Sequence, residues 1–242
     1  EVARAVTGKD MHGKFPLQDG RFFCVGKDGK HLGQTMWRKL GRPGAFSIIR
    51  DLWTGEWRAF RPWDPDDAFR TNMTKPAPAL IPPRLIKSIA WENKKENQPN
   101  VVSLHTGWEL SFFTSLGKPP QGSDIDGAWF DEEVVDPDWY PETSARLLDR
   151  AGRFIWSATP QAGTDQLYDL HERCDKERGE IHPKAEEFII LLENNPHISE
   201  EQKKDFADKL SGNPDEAAVR IGGDFAISTF RVYPEFSMRV HG

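Results

Sequence analysis

Apolar residues fall in short, widely separated runs, and each run ends at a glycine or at a polar cluster. Arg-Phe-Phe-Cys-Val at 21–25 reads as a buried strand ending at Gly26. From His31 to Leu40 the spacing of Leu32, Met36 and Leu40 is helical, and Gly41 closes the helix. Val101–Leu104 and Trp108–Phe113 flank Thr106-Gly107, the pattern of a β-hairpin. Gly127–Phe130 is an apolar run entering Asp131-Glu132-Glu133. A helix-compatible stretch from Trp139 to Arg150 follows, ended by Gly152, and Phe154–Trp156 then enters Ser157-Ala158-Thr159-Pro160. Strand, crossover helix and strand make a βαβ unit with two parallel strands. The absence of alternation within these runs predicts a sheet covered on both faces.

A third run, Phe188–Leu192, enters Glu193-Asn194-Asn195-Pro196 and is expected as another strand. Ser199–Leu210 and Pro214–Ile221 are expected as two small helices joined by Ser211-Gly212-Asn213, and Glu1–Val6 as the end of a helix stopped by Thr7-Gly8. Between Arg42 and Pro83, proline, tryptophan and charge are dense and little regular structure is expected. The fold class that follows is α/β, a mostly parallel sheet with flanking helices and a small helical appendage.

Composition narrows the partners. The 242 residues carry 32 Lys and Arg against 38 Asp and Glu, a net charge of −6. That balance excludes a protein that coats DNA with its whole surface and leaves room only for a local basic patch. Nine tryptophans and fifteen phenylalanines supply a large core. No apolar run is long enough to cross a bilayer, and the first residues lack a signal-peptide pattern. Cys24 and Cys174, far apart in sequence, read as reduced thiols of an intracellular protein.

The chemistry gathers at the strand ends. In open α/β sheets ligands sit beyond the carboxyl ends of strands, and here those ends carry Asp131-Glu132-Glu133 and Ser157-Ala158-Thr159. An apolar strand delivering Asp-Glu is the Walker B arrangement. Asp131 is placed to hold Mg2+ through water, Glu132 to polarise a water for in-line attack on a γ-phosphate, and Glu133 to act as a supporting acid. Two plainer readings stand beside this one. The acids form a solvated turn, and Ser157 and Thr159 cap a helix around Gln166–Glu172.

The stretch Gly122–Glu133 resembles the Walker B segment of the large terminase subunits of tailed bacteriophages, and Ser157-Ala158-Thr159-Pro160 resembles their coupling motif. Glu193–His197, Gly222-Gly223-Asp224-Phe225 and Val232-Tyr233-Pro234-Glu235-Phe236 extend the resemblance, which is strongest from Asn100 to Phe236. It implies a P-loop NTPase-like, RecA/ASCE-type ATPase domain over 1–197, a helical linker subdomain over 198–226, and at 227–242 the start of a connection to a nuclease domain. It also implies ATP and Mg2+ as cofactors, with Asp131 as the metal acid, Glu132 as the catalytic acid, and Ser157 to Pro160 coupling hydrolysis to movement. The implied partners are double-stranded viral DNA, a portal protein, a small terminase subunit and further copies in a ring, in the host cell cytoplasm and with no membrane.

The chain departs from that family in lacking a Gly-x-x-x-x-Gly-Lys-Ser/Thr loop. Gly8–Phe15 imitates the spacing, but Phe15 replaces the hydroxyl and the stretch follows a helix. The phosphate loop is therefore expected upstream of residue 1, the nuclease acids beyond residue 242, and no useful hydrolysis by this chain alone. The competing functions are a helicase-type motor, which shares Asp-Glu and Ser-Ala-Thr, and a scaffold or DNA-binding module without catalysis. Weaker signals are His171-x-x-Cys174 with His182 for zinc, Lys94-Lys95 beside Trp91 for DNA, and Arg42, Arg50 or Arg84 as an arginine finger.

Overall fold

The computed structural model describes residues 1–161 and 164–225. The chain forms two compact units, Glu1–Ala158 and Thr159–Gly242. In the first, α1 (Val2–Val6) and β1 (Arg21–Gly26) lead into a helical run of α2 (Gly29–His31), a π-helical segment (Leu32–Trp37) and α3 (Arg38–Gly41). Then come β2 (Ser47–Arg50), β3 (Trp57–Ala59), α4 (Pro65–Ala68) and β4 (Lys75–Pro76). They are followed by β5 (Ile86–Asn93), β6 (Gln98–Leu104), β7 (Glu109–Thr114), β8 (Gly127–Asp131), α5 (Trp139–Leu148) and β9 (Arg153–Ser157). The second unit contains α6 (Asp165–Glu177), α7 (Glu200–Leu210) and α8 (Pro214–Arg220). The Val232–Phe236 motif and the segment 227–242 lie outside the described residues.

The main sheet has six strands in the order β5-β6-β7-β1-β8-β9. β7, β1, β8 and β9 run parallel, while β5 and β6 extend the sheet antiparallel. The βαβ unit β8–α5–β9 and the β6–β7 hairpin are both formed as their patterns predict. Both faces of the central strands β1 and β8 are buried, which is why their runs do not alternate. On one face Phe22, Cys24, Leu110 and Phe112 pack with Val2, Val6, Leu32, Met36, Trp37 and Leu40 from the helices. On the other, Phe130 meets Trp139 of α5 edge to face at 6.0 Å and Phe154 at 4.8 Å. Such aromatic pairs add about 0.5–1.5 kcal/mol each beyond area burial.

Two expectations change. The stretch 42–83 carries a small antiparallel sheet in the order β3-β2-β4. Its strands are two to four residues long, too short for periodicity to register. The buried carboxylate of Asp67 holds it together. Arg58 donates to Asp67 through Nη1 at 2.6 Å and Nη2 at 2.9 Å, and through Nε to Asp51 at 2.8 Å. The Arg61 backbone N–H gives Asp67 a third bond, at 3.0 Å. In turn the Arg58 guanidinium keeps both carboxyls below the usual carboxylate range.

The second change is Phe188–Leu192, which forms no strand; Phe188 and Ile190 are 84% and 86% exposed. An apolar run becomes a strand only with a partner to complete its hydrogen bonds, and none pairs with it among the described residues. The two small helices are present as expected. α7 begins with a capping box in which Ser199 and Gln202 exchange side-chain and backbone bonds, and Asn213 caps α8.

Two outcomes follow for the small sheet. Asp67→Ala removes a buried, charge-assisted fork and is expected to destabilise the protein by about 2–3 kcal/mol in chemical denaturation. Because the folded-state carboxyls titrate below their unfolded value of about 3.9, their contribution is complete above that value. It fades as pH falls through the lower folded pKa values. Trp57 fluorescence followed during acid titration of wild type and Asp67→Asn should show the transition in the former and a flattened one in the latter.

Candidate functional site

Strand register builds the site. Gly26, the last residue of β1, pairs with Thr114 on β7 and with Asp131 on β8, and Asp131 pairs with Ser157 on β9. Thr114, Gly26, Asp131 and Ser157 therefore form one row across the carboxyl edge of four parallel strands. At about 4.8 Å per strand the row spans roughly 14 Å, the dimension of a small phosphorylated ligand. Thr114 was not expected at this edge; it ends a strand that looked, from sequence, only like half of a hairpin.

Asp131 is nearly buried, at 9% exposure, and both its oxygens are engaged. Ser157 Oγ donates to Oδ1 at 2.6 Å and itself accepts from Trp129 Nε1 at 2.9 Å. His31 Nε2 lies 2.8 Å from Oδ2. The Ser157 hydroxyl thus serves Asp131 and not a helix end; the next helix, α6, takes Thr164 as its N-cap residue. Beneath the acid, burial first and the Asp131 charge second push the Cys24 thiol well above its usual pKa, so Cys24 stays a neutral apolar group.

Glu132 turns the chain out of the sheet. Its φ is +72°, a left-handed conformation that a non-glycine residue adopts at a cost of about 1–2 kcal/mol. Two bonds impose it: the Glu132 backbone N–H donates to the Ser157 carbonyl at 2.7 Å, and Trp156 Nε1 donates to the Glu132 carbonyl at 2.9 Å. The side chain is left exposed beside the buried acid, while Glu133 is half-buried. Ala158 is exposed at the end of the first unit. Thr159 and Pro160 open the second unit, where the Thr159 carbonyl accepts from the Gln161 N–H at 2.7 Å.

Sequence reasoning overlooked the segment that completes this edge. Gly26-Lys27-Asp28-Gly29-Lys30-His31 links the central strand β1 to the helical run starting at Gly29. Asp28 Oδ1 accepts the His31 backbone N–H at 2.8 Å, closing the turn. Gly26 is packed so closely that a Cβ there would approach Leu32 and Met36 at 2.9 Å, and one on Gly33 would lie 2.4 Å from the Glu96 carbonyl oxygen. The Ser115 N–H donates to the Gly26 carbonyl at 2.8 Å. Lys30 is exposed and has no ion pair among the described residues. The signal was present as a predicted strand, a Gly-Lys pair and a predicted helix in direct succession. The spacing is two residues shorter than in the usual phosphate loop, and His31 stands where Ser or Thr is usual.

The imitation at Gly8–Phe15 precedes β1. Just beyond it, the Asp19 N–H bonds to the Thr106 carbonyl at 3.1 Å, ahead of the start of β7. That is the opposite edge of the sheet. Asp10 there already occupies its own turn, accepting the backbone N–H groups of His12, Lys14 and Phe15. Of the weaker signals, His171 is bonded through Nδ1 to Glu187 at 2.8 Å. Among the described residues no three His, Cys, Asp or Glu side chains gather to hold a metal, and no helix is long and apolar enough to cross a membrane. Arg42 donates to Asn97, and Arg50 lies over the Trp57 ring at 5.5 Å.

Comparison with protein-family models, curated proteins and solved structures finds no match for the chain.

The strain at residue 132 has a measurable side. Glu132→Gly is expected to raise stability by about 0.5–1 kcal/mol, because glycine takes the left-handed conformation freely but loses more entropy on folding. Glu132→Val should lower stability, and thermal melts of the two variants check the opposite signs.

Proposed function

We propose that this chain is a nucleotide-hydrolysing motor domain of the large-terminase type, converting ATP and water to ADP and phosphate to drive duplex DNA into a procapsid. The observation that carries the reading is the register row, which aligns a Gly-Lys loop, a held carboxylate and a hydroxyl on one sheet edge. Gly26 to His31 takes the role of the phosphate loop that the sequence alone suggested upstream. The exposed Lys30 ammonium meets the phosphates at the start of the helix, while the His31 N–H stays with Asp28.

In this reading Asp131 holds the divalent cation that screens phosphate charge when bound. Glu132, exposed and fixed by its backbone, accepts a hydrogen bond from the attacking water and orients it in line with the γ-phosphorus. Ser157 carries the nucleotide state onward: its hydroxyl is bonded to Asp131, and the segment Ser157–Pro160 crosses the boundary between the two compact units. The portal protein, the small terminase subunit, a homo-oligomeric ring and the host cytoplasm belong to the same proposal, on the strength of the resemblance.

Lys30→Ala is expected to weaken ATP binding at least about tenfold through loss of a charge-assisted contact. Glu132→Gln should retain binding and lower turnover about 100-fold or more. Calorimetry and single-turnover phosphate release measure the two effects separately; undiminished ATP affinity in Lys30→Ala would sink the assignment of this loop.

A further inference from the structure

The candidate edge contains one donor that an all-oxygen magnesium site lacks. His31 follows the Gly29-Lys30 pair at the position where the usual motif carries a hydroxyl for Mg2+. Its Nε2 sits 2.8 Å from Asp131 Oδ2, and each side chain is 12% exposed, sheltered but reachable.

Both partners are held from behind. The Asp28 bond to the His31 backbone N–H fixes the imidazole's base, and the Trp129–Ser157 relay occupies the far oxygen of Asp131. The near oxygen and the imidazole nitrogen are hydrogen-bonded to each other, and a cation bound by both takes the place of the proton they share. Two adjacent ligands of one octahedral ion, each at about 2.1 Å, lie roughly 3 Å apart. The observed separation is close to that.

Mg2+ demands oxygen ligands and sheds water reluctantly. An imidazole nitrogen suits first-row transition ions, whose affinity for mixed nitrogen and oxygen sites rises from Mn2+ through Co2+. We infer, on the reading that this edge binds a nucleotide, that His31 Nε2 and Asp131 Oδ2 are direct ligands of a first-row transition divalent cation and that the site discriminates against Mg2+. Only two such side chains meet here, so phosphate oxygens and water complete the ion's shell. The ion therefore binds together with the nucleotide and only weakly before it.

The test is calorimetric titration of the 242-residue protein with ADP in CoCl2, in MgCl2 and in EDTA, repeated on His31→Ser. It is joined by pulsed EPR of the Mn2+–ADP complex of the unsubstituted protein, which needs no variant to fold. ADP is expected to bind at least about tenfold tighter with Co2+ than with Mg2+, and His31→Ser to bring the two within about threefold. The EPR signal should show nitrogen coupling from a directly bonded imidazole. Equal affinity in Co2+ and Mg2+ without nitrogen coupling overturns this inference and leaves the nucleotide reading standing. Undiminished binding in EDTA also overturns it, since the imidazole would then replace the cation. No ADP binding under any condition overturns the nucleotide reading and this inference together.

Discussion

Parallel pairing of β1 with β8 and of β8 with β9 is the constraint on which the site depends. A parallel ladder has one register at which both faces of each strand stay buried, because a slip of one residue would turn every side chain to the other face. With Phe22, Cys24 and Phe112 committed to the helices of one face and Phe130 to α5 on the other, that register is not free to drift. Gly26, Asp131 and Ser157 end their strands level with one another as a consequence of core packing. The acid needs no separate device to meet its hydroxyl partner.

The same packing accounts for what surrounds the acid. A carboxylate this deeply buried must find donors, and Asp131 finds one on each oxygen. One donor comes from the neighbouring strand and the other from the helix start that follows the central strand. Gly26 lets that helix lie against β1 closely enough for His31 to reach across. The helix continues through a π-helical segment, a form enriched at functional sites. The small sheet of residues 47–76 adds to its buried Ile48 and Ile49 a second organising element, a buried carboxylate forked to Arg58.

Much of the main sheet was legible because its signals are local. Apolar runs flanked by glycine, acids or hydroxyls marked β1, β8 and β9, and the helical spacing of Leu32, Met36 and Leu40 marked the helix after β1. The acid pair and Ser157 were readable for the same reason, since each immediately follows an apolar run. Other features were not legible. The pairing of β7 beside β1 is a long-range choice that no local pattern encodes, so Thr114 and Ser115 were missed at the edge. The Gly26–His31 turn was hidden by its departure from the usual spacing, although its flanking elements were both recognised. Phe188–Leu192 misled in the other direction, because hydrophobicity without a pairing partner does not make a strand.

The bond from Ser157 to Asp131 has a mechanical meaning. Ser157 is the last residue of β9, and the compact unit to which it belongs closes one residue later. Any force arriving along the chain from Thr159 onward meets this hydroxyl before it meets the rest of the sheet. The first coordinate to respond is the aim of a single carboxylate oxygen.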